Sequence, residues 1–156
     1  MHEITCKAIN TFPHPQIHII ILGDNNLRPN RANSEKCADT IKYFEQLVKN
    51  FSNFSNCRLV LCSTIPSPLT DNRSSQKFKE MNQLLKDLAK TEESRVSFLN
   101  FNKYFLFEGE IRTIVEVNGQ EGYLFSRDGI HLSPIGAKLL SVRLLEFLRL
   151  LPLRFH

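Results

Sequence analysis

Apolar residues in this chain recur with two different spacings, and the alternation between them predicts the order of elements. Residues 17 to 22 (IHIIIL) are a nearly unbroken, β-branched run between Pro15 and Gly23, the pattern of a strand covered on both faces inside a parallel sheet. Residues 34 to 50 then place Cys37, Ile41, Phe44, Leu47 and Val48 on one helical stripe, with Ser34 as N-cap. A second buried strand follows at 58 to 62 (RLVLC) and runs into a turn-rich stretch from Ser63 to Asn72. A second amphipathic helix is predicted over 75 to 90, with Phe78, Met81, Leu84, Leu85 and Leu88 inward, and a third strand over Val96 to Phe101. Strand and helix alternating in this way predict a parallel sheet covered by helices.

Residues 103 to 125 interrupt the rhythm. The short β-like run from Ile111 to Val117 around Asn118-Gly119, a pair suited to the positive φ angles of a tight turn, predicts a hairpin or an irregular excursion. Ser133-Pro134 then provides an N-cap and a first helical position for an apolar helix from Ile135 to about Leu150. At the other end Ile4, Cys6 and Ala8 alternate as an edge strand would, in a segment (1–16) otherwise without pattern. A single domain over all 156 residues is expected, with residues 17–150 as its core.

Composition narrows the function classes. With 42% hydrophobic residues and no apolar run near bilayer length, the chain reads as a globular protein without membrane contact. The opening Met-His-Glu-Ile-Thr lacks the basic start and apolar stretch of a secretory leader, so a cytoplasmic location is expected. Cys6, Cys37, Cys57 and Cys62 have neither CxxC nor metal-type spacing; they read as reduced, buried small side chains, and neither metal nor cofactor is expected. The net charge of +4 is spread along the chain, which permits contact with RNA without arguing strongly for it, and a protein partner is equally open.

In open α/β sheets chemistry gathers beyond the carboxyl ends of the strands. Three segments of this chain belong there: Gly23 to Asn26, Ser63 to Pro68, and Ser126 to His131. In the last, Asp128 and His131 are two residues apart at a helix entrance, where a carboxylate can fix an imidazole's tautomer and support its positive charge. The spacing alone favours a turn aspartate beside a half-buried histidine, because DxxH pairs are common.

The stretch Asp-Gly-Ile-His-Leu-Ser-Pro-Ile-Gly-Ala-Lys-Leu-Leu resembles the last block of the SGNH, or GDSL-like, hydrolases, in which Asp and His of a DxxH motif complete a catalytic triad. The strand ending in Gly23-Asp24-Asn25-Asn26 is similar to the same family's Gly-x-Asn-Asp block, although Asn26 stands where the family has Asp. "CRLVLCSTIPSP", "KFKEMNQLLKDLAK" and "RVSFLNFNKYF" resemble the intervening segments in the right order, so that the likeness covers about residues 17 to 150. It implies a three-layer α/β/α, flavodoxin-like fold with a mostly parallel sheet. It also implies an esterase or acylhydrolase site with His131 as base, Asp128 orienting it, and Asn25 and Gly23 in the oxyanion region. The matching ligand is a small ester or acyl compound.

One part of the family pattern is missing. Gly-Asp-Ser, the nucleophile block at the end of the family's first strand, occurs nowhere in the sequence, and sixteen residues before Ile17 are too few for that strand, its helix and a second strand. Ser63 and Ser126 lie near strand ends, but nothing in their surroundings suggests a strained turn presenting a hydroxyl. The expectation is therefore an N-terminally incomplete SGNH-like domain that does not turn over esters. Its alternative is a non-catalytic module binding protein or RNA. Loss of the family's first strand would also leave the Ile17 strand with an open apolar edge, to be covered by residues 2–9 or by another chain.

Overall fold

The computed structural model describes residues 16–21, 37–51, 57–70, 72–91 and 95–151. Strands β1 (Gln16–Ile20), β2 (Cys57–Cys62) and β3 (Val96–Leu99) form one parallel sheet in the order β1-β2-β3. Ile20 pairs with Leu61 and Cys62 with Leu99 across the sheet. Between the strands run α1 (Cys37–Phe51) and α2 (Asn72–Thr91). After β3 come a helical turn, α3 (Asn102–Phe105), a hairpin of β4 (Leu106–Phe107) with β5 (Glu110–Ile111), a second hairpin of β6 (Ile114–Val117) with β7 (Gln120–Tyr123), and the closing helix α4 (Pro134–Leu150).

The period-2 geometry of β2 sorts its side chains into two cores. Cys57, Leu59 and Leu61 face α1 and α2, where Phe44, Leu47, Phe78, Met81 and Leu85 are buried with them. Val60 and Cys62 face the opposite way, toward Phe101, Phe105, Val115, Val117, Leu124 and Leu139. Helices thus lie on both faces of the sheet, and β2 is buried from end to end. Complete burial of Leu59 and Leu61 contributes about 2 kcal/mol each.

β1 differs from its expected state. It lies at the sheet edge among the described residues, and positions 16–19 are only half-buried; Ile20 alone is enclosed. The apolar run predicted a strand covered on both faces; with β2 as its one neighbour among the described residues, β1 receives less cover from the helices than a central strand does. The proposed covering strand at residues 2–9, the Ser34 cap, and the side chains of Cys6 and Cys37 lie outside the described residues. Cys57 and Cys62 are buried thiols, as expected.

The irregular segment resolves into two hairpins. Asn118 and Gly119 take φ values of 53° and 75°, and the alternation of β6, with Val115 and Val117 buried between exposed Ile114 and Glu116, turns one face onto α4. The other hairpin, turning at Glu108 and Gly109, was not anticipated, because glutamate is a poor signal for a positive φ. β3 ends at Leu99 rather than Phe101: the Phe101 N–H leaves the ladder and donates to Ser63 Oγ at 2.9 Å. No helix among the described residues is long and apolar enough to cross a membrane.

Candidate active site

Parallel strands all deliver their carboxyl ends to one edge, so the loop after β2 and the segment after β3 emerge together. The loop from Ser63 to Thr70 is anchored through α2. Asn82 Oδ1 accepts from the Thr64 N–H at 2.7 Å and from its hydroxyl at 2.9 Å, while Asn82 Nδ2 donates to the Thr64 carbonyl at 3.2 Å. At the far end of this loop Leu69 lies against Gly129, its Cγ 3.3 Å from where a Cβ on that glycine would stand. That contact brings the segment before α4 to the same end of the sheet.

Local pairing builds the 126–131 loop. Phe125 and Leu132 form an antiparallel bridge, the Ser126 N–H donates to the His131 carbonyl at 2.8 Å, and the Gly129 N–H donates to the Ser126 carbonyl at 2.9 Å. Ser133 caps α4, accepting from the Gly136 N–H at 3.1 Å, and its own hydroxyl donates to the Tyr123 carbonyl. Gly136 is required by close approach: a Cβ there would fall 2.1 Å from the Leu124 carbonyl oxygen. The Ser-Pro-x-Gly run therefore seats the helix start against the chain that leads into the loop.

Asp128 and His131 meet in this loop. Asp128 Oδ1 accepts from the Ile130 N–H at 2.8 Å and the His131 N–H at 3.0 Å, and Oδ2 lies 2.6 Å from His131 Nδ1. The imidazole hydrogen bond, aided by the two backbone donors, holds the Asp128 carboxyl down to about 2. An ionised carboxylate on Nδ1 selects the tautomer that leaves Nε2 with a lone pair, and the His131 side chain is 79% exposed. The pair can accept a proton from a ligand or from water.

The sequence-derived oxyanion residues Gly23 and Asn25 lie outside the described residues. Among the described residues, no hydroxyl or thiol is hydrogen-bonded to His131. Ser63 is fully buried and accepts from the Phe101 N–H, Ser126 Oγ donates to the Leu132 carbonyl at 3.1 Å, and Ser67 is buried against Thr70. Burial pushes the Cys62 thiol up to about 12, far from a thiolate. The Thr64–Asn82 clamp was not predicted; an asparagine among inward-facing helical residues is the signal that marks it.

No protein-family model matches the chain, and no curated protein matches it. A solved structure from Streptococcus pneumonia, provisionally described as a platelet activating factor, is similar in shape: the TM-score is 0.66 at 18% identity, over 85% of this chain and 59% of that one. At this identity the likeness establishes a shared α/β fold. The chain spans less than two thirds of its neighbour's length.

Proposed function

We propose that this chain is an SGNH-type esterase or acylhydrolase domain that retains the acid–base half of the site and, as this polypeptide, does not turn over esters. The 2.6 Å pair of Asp128 and His131 at the carboxyl end of a parallel sheet carries the reading. The order of the blocks along the sequence and the shared fold support it. In this mechanism Asp128 stays ionised and orients the imidazole, and Nε2 takes a proton from an attacking hydroxyl, returning it to the leaving alcohol. Among the described residues no serine hydroxyl is in reach of the imidazole, and a base with nothing to activate but water forms no acyl-enzyme.

Stopped-flow assays with p-nitrophenyl acetate test this directly. Wild type and His131→Ala should release nitrophenolate at rates differing by no more than the exposed imidazole itself contributes, without a burst or saturation. A saturable burst that disappears in His131→Ala would overturn the inert reading and call for a nucleophile elsewhere in the chain.

A further inference from the structure

An imidazole that has no hydroxyl to serve as base still carries a nucleophile of its own, the lone pair on its unprotonated nitrogen. In His131 that nitrogen is Nε2: Nδ1 is taken by Asp128 Oδ2 at 2.6 Å, and the side chain is 79% exposed. Neighbouring hydroxyls leave the lone pair free, since Ser63 Oγ accepts from the Phe101 N–H and Ser126 Oγ donates to the Leu132 carbonyl. His18, the other histidine among the described residues, is placed differently. It is half-buried on β1, with Nε2 2.8 Å from Gln16 Oε1 and its ring edge-on to Phe51.

We propose that His131 Nε2 accepts acyl groups from thioesters, acting as a nucleophile and not as a base. The inference rests on the reading of this site as the acid–base half of a hydrolase. Nε2 gives its lone pair to the thioester carbonyl carbon, the carbonyl re-forms as the C–S bond breaks, and the thiolate departs with that bond's electron pair. An N-acylimidazolium remains, its Nδ1 proton still shared with Asp128. Water then adds to the acyl carbon and the C–N bond breaks back to Nε2, releasing a carboxylic acid and one proton, which the thiolate or solvent takes up. Asp128 supports the positive charge that develops on the ring during the attack. The leaving group decides the substrate class. With Nε2 spent as the nucleophile, the imidazole cannot also protonate the departing group, so that group must leave unaided as an anion. A thiolate does so near neutral pH. An alkoxide is a far stronger base and is expelled less readily than the imidazole itself, so that alkyl esters return to starting material.

4-Nitrophenyl thioacetate, which releases a coloured thiolate, tests this on the full chain, with amide spectra to show that each variant stays folded. Wild type should cleave it faster than His131→Ala, at a rate that rises linearly with thioester and is the same in heavy water, because the attack moves no proton. Asp128→Asn should lower the His131-dependent part about threefold, the scale of an exposed charge pair. Wild type no faster than His131→Ala overturns the proposal. So does a His131-dependent rate that slows in heavy water, since the imidazole would then be drawing a proton from water. A rate unaltered by Asp128→Asn overturns it too, because any exposed histidine would then serve. Those three results leave the reading of an inert hydrolase site standing, whereas a saturable burst of thiolate that is lost in His131→Ala overturns both.

Discussion

The loops 63–70 and 126–133 occupy the same end of the molecule and touch through Leu69 and Gly129, yet they use their polar side chains in opposite ways. In the first, Ser63, Thr64 and Ser67 are buried and turned inward, each bonded to backbone or to a side chain of the same end of the sheet. In the second, Ser126 and Ser133 hold the loop's base, and that frame presents an aspartate and a histidine to solvent. Hydroxyl groups near strand ends are thus committed to internal partners, backbone groups for Ser63, Ser126 and Ser133 and side chains for Thr64 and Ser67. Of these two loops, the second alone turns titratable side chains, Asp128 and His131, to solvent at its tip.

The contrast can be broken from either side. The largest effect is expected at Gly136, where a methyl group collides with the backbone of Leu124 rather than with a flexible side chain. Gly136→Ala should cost about 3 kcal/mol or more in chemical denaturation and loosen the 126–131 loop with it. A cost near zero would mean that the helix start is not seated as described. Removing the clamp of the other loop comes next: Asn82→Ala leaves the Thr64 N–H without its acceptor and should cost about 2 kcal/mol. Amide exchange at Thr64 should quicken while that at His131 does not; equal quickening would show the two loops to be one cooperative unit.

The smallest effect on stability falls on the most chemically distinctive residue. Asp128→Asn should leave the denaturation midpoint almost unchanged, since the pair is exposed. The downfield Nδ1 proton resonance of His131 should nonetheless vanish. Acid should act on the same contact. Because the Asp128 carboxyl is held below its ordinary value of 3.8, the pairing is complete above that pH and is lost as the pH falls toward about 2. Following the Ile130 and His131 amide shifts across that interval checks the sign: a transition above pH 4 would show the carboxylate to be unassisted.

Much of the frame was written in the one-dimensional pattern. The strand and helix order, the Ser133-Pro134 helix start and the Asn118-Gly119 turn all depend on residues close together in sequence, whose preferred φ/ψ and burial periods act locally. The Asp128–His131 pair was legible for the same reason: three positions of chain suffice for the aspartate to bond the histidine's backbone and ring together.

What tertiary structure decided involves partners far apart in sequence. Phe101 leaves the β3 ladder for a serine 38 residues earlier, and Thr64 is clamped by a helix residue 18 positions later. Gly136 is demanded by the backbone of Leu124, and the half-burial of β1 goes with its having β2 as its one strand neighbour among the described residues. No local preference encodes these, because each is a matter of which polar group or which surface lies opposite after the sheet and helices have packed. The sequence by itself determined the order of the main strands and helices and the Asp128–His131 pair at the sheet's rim. Packing determined which hydroxyls around that pair are taken up by backbone groups, since only a folded interior removes the water that would otherwise satisfy them.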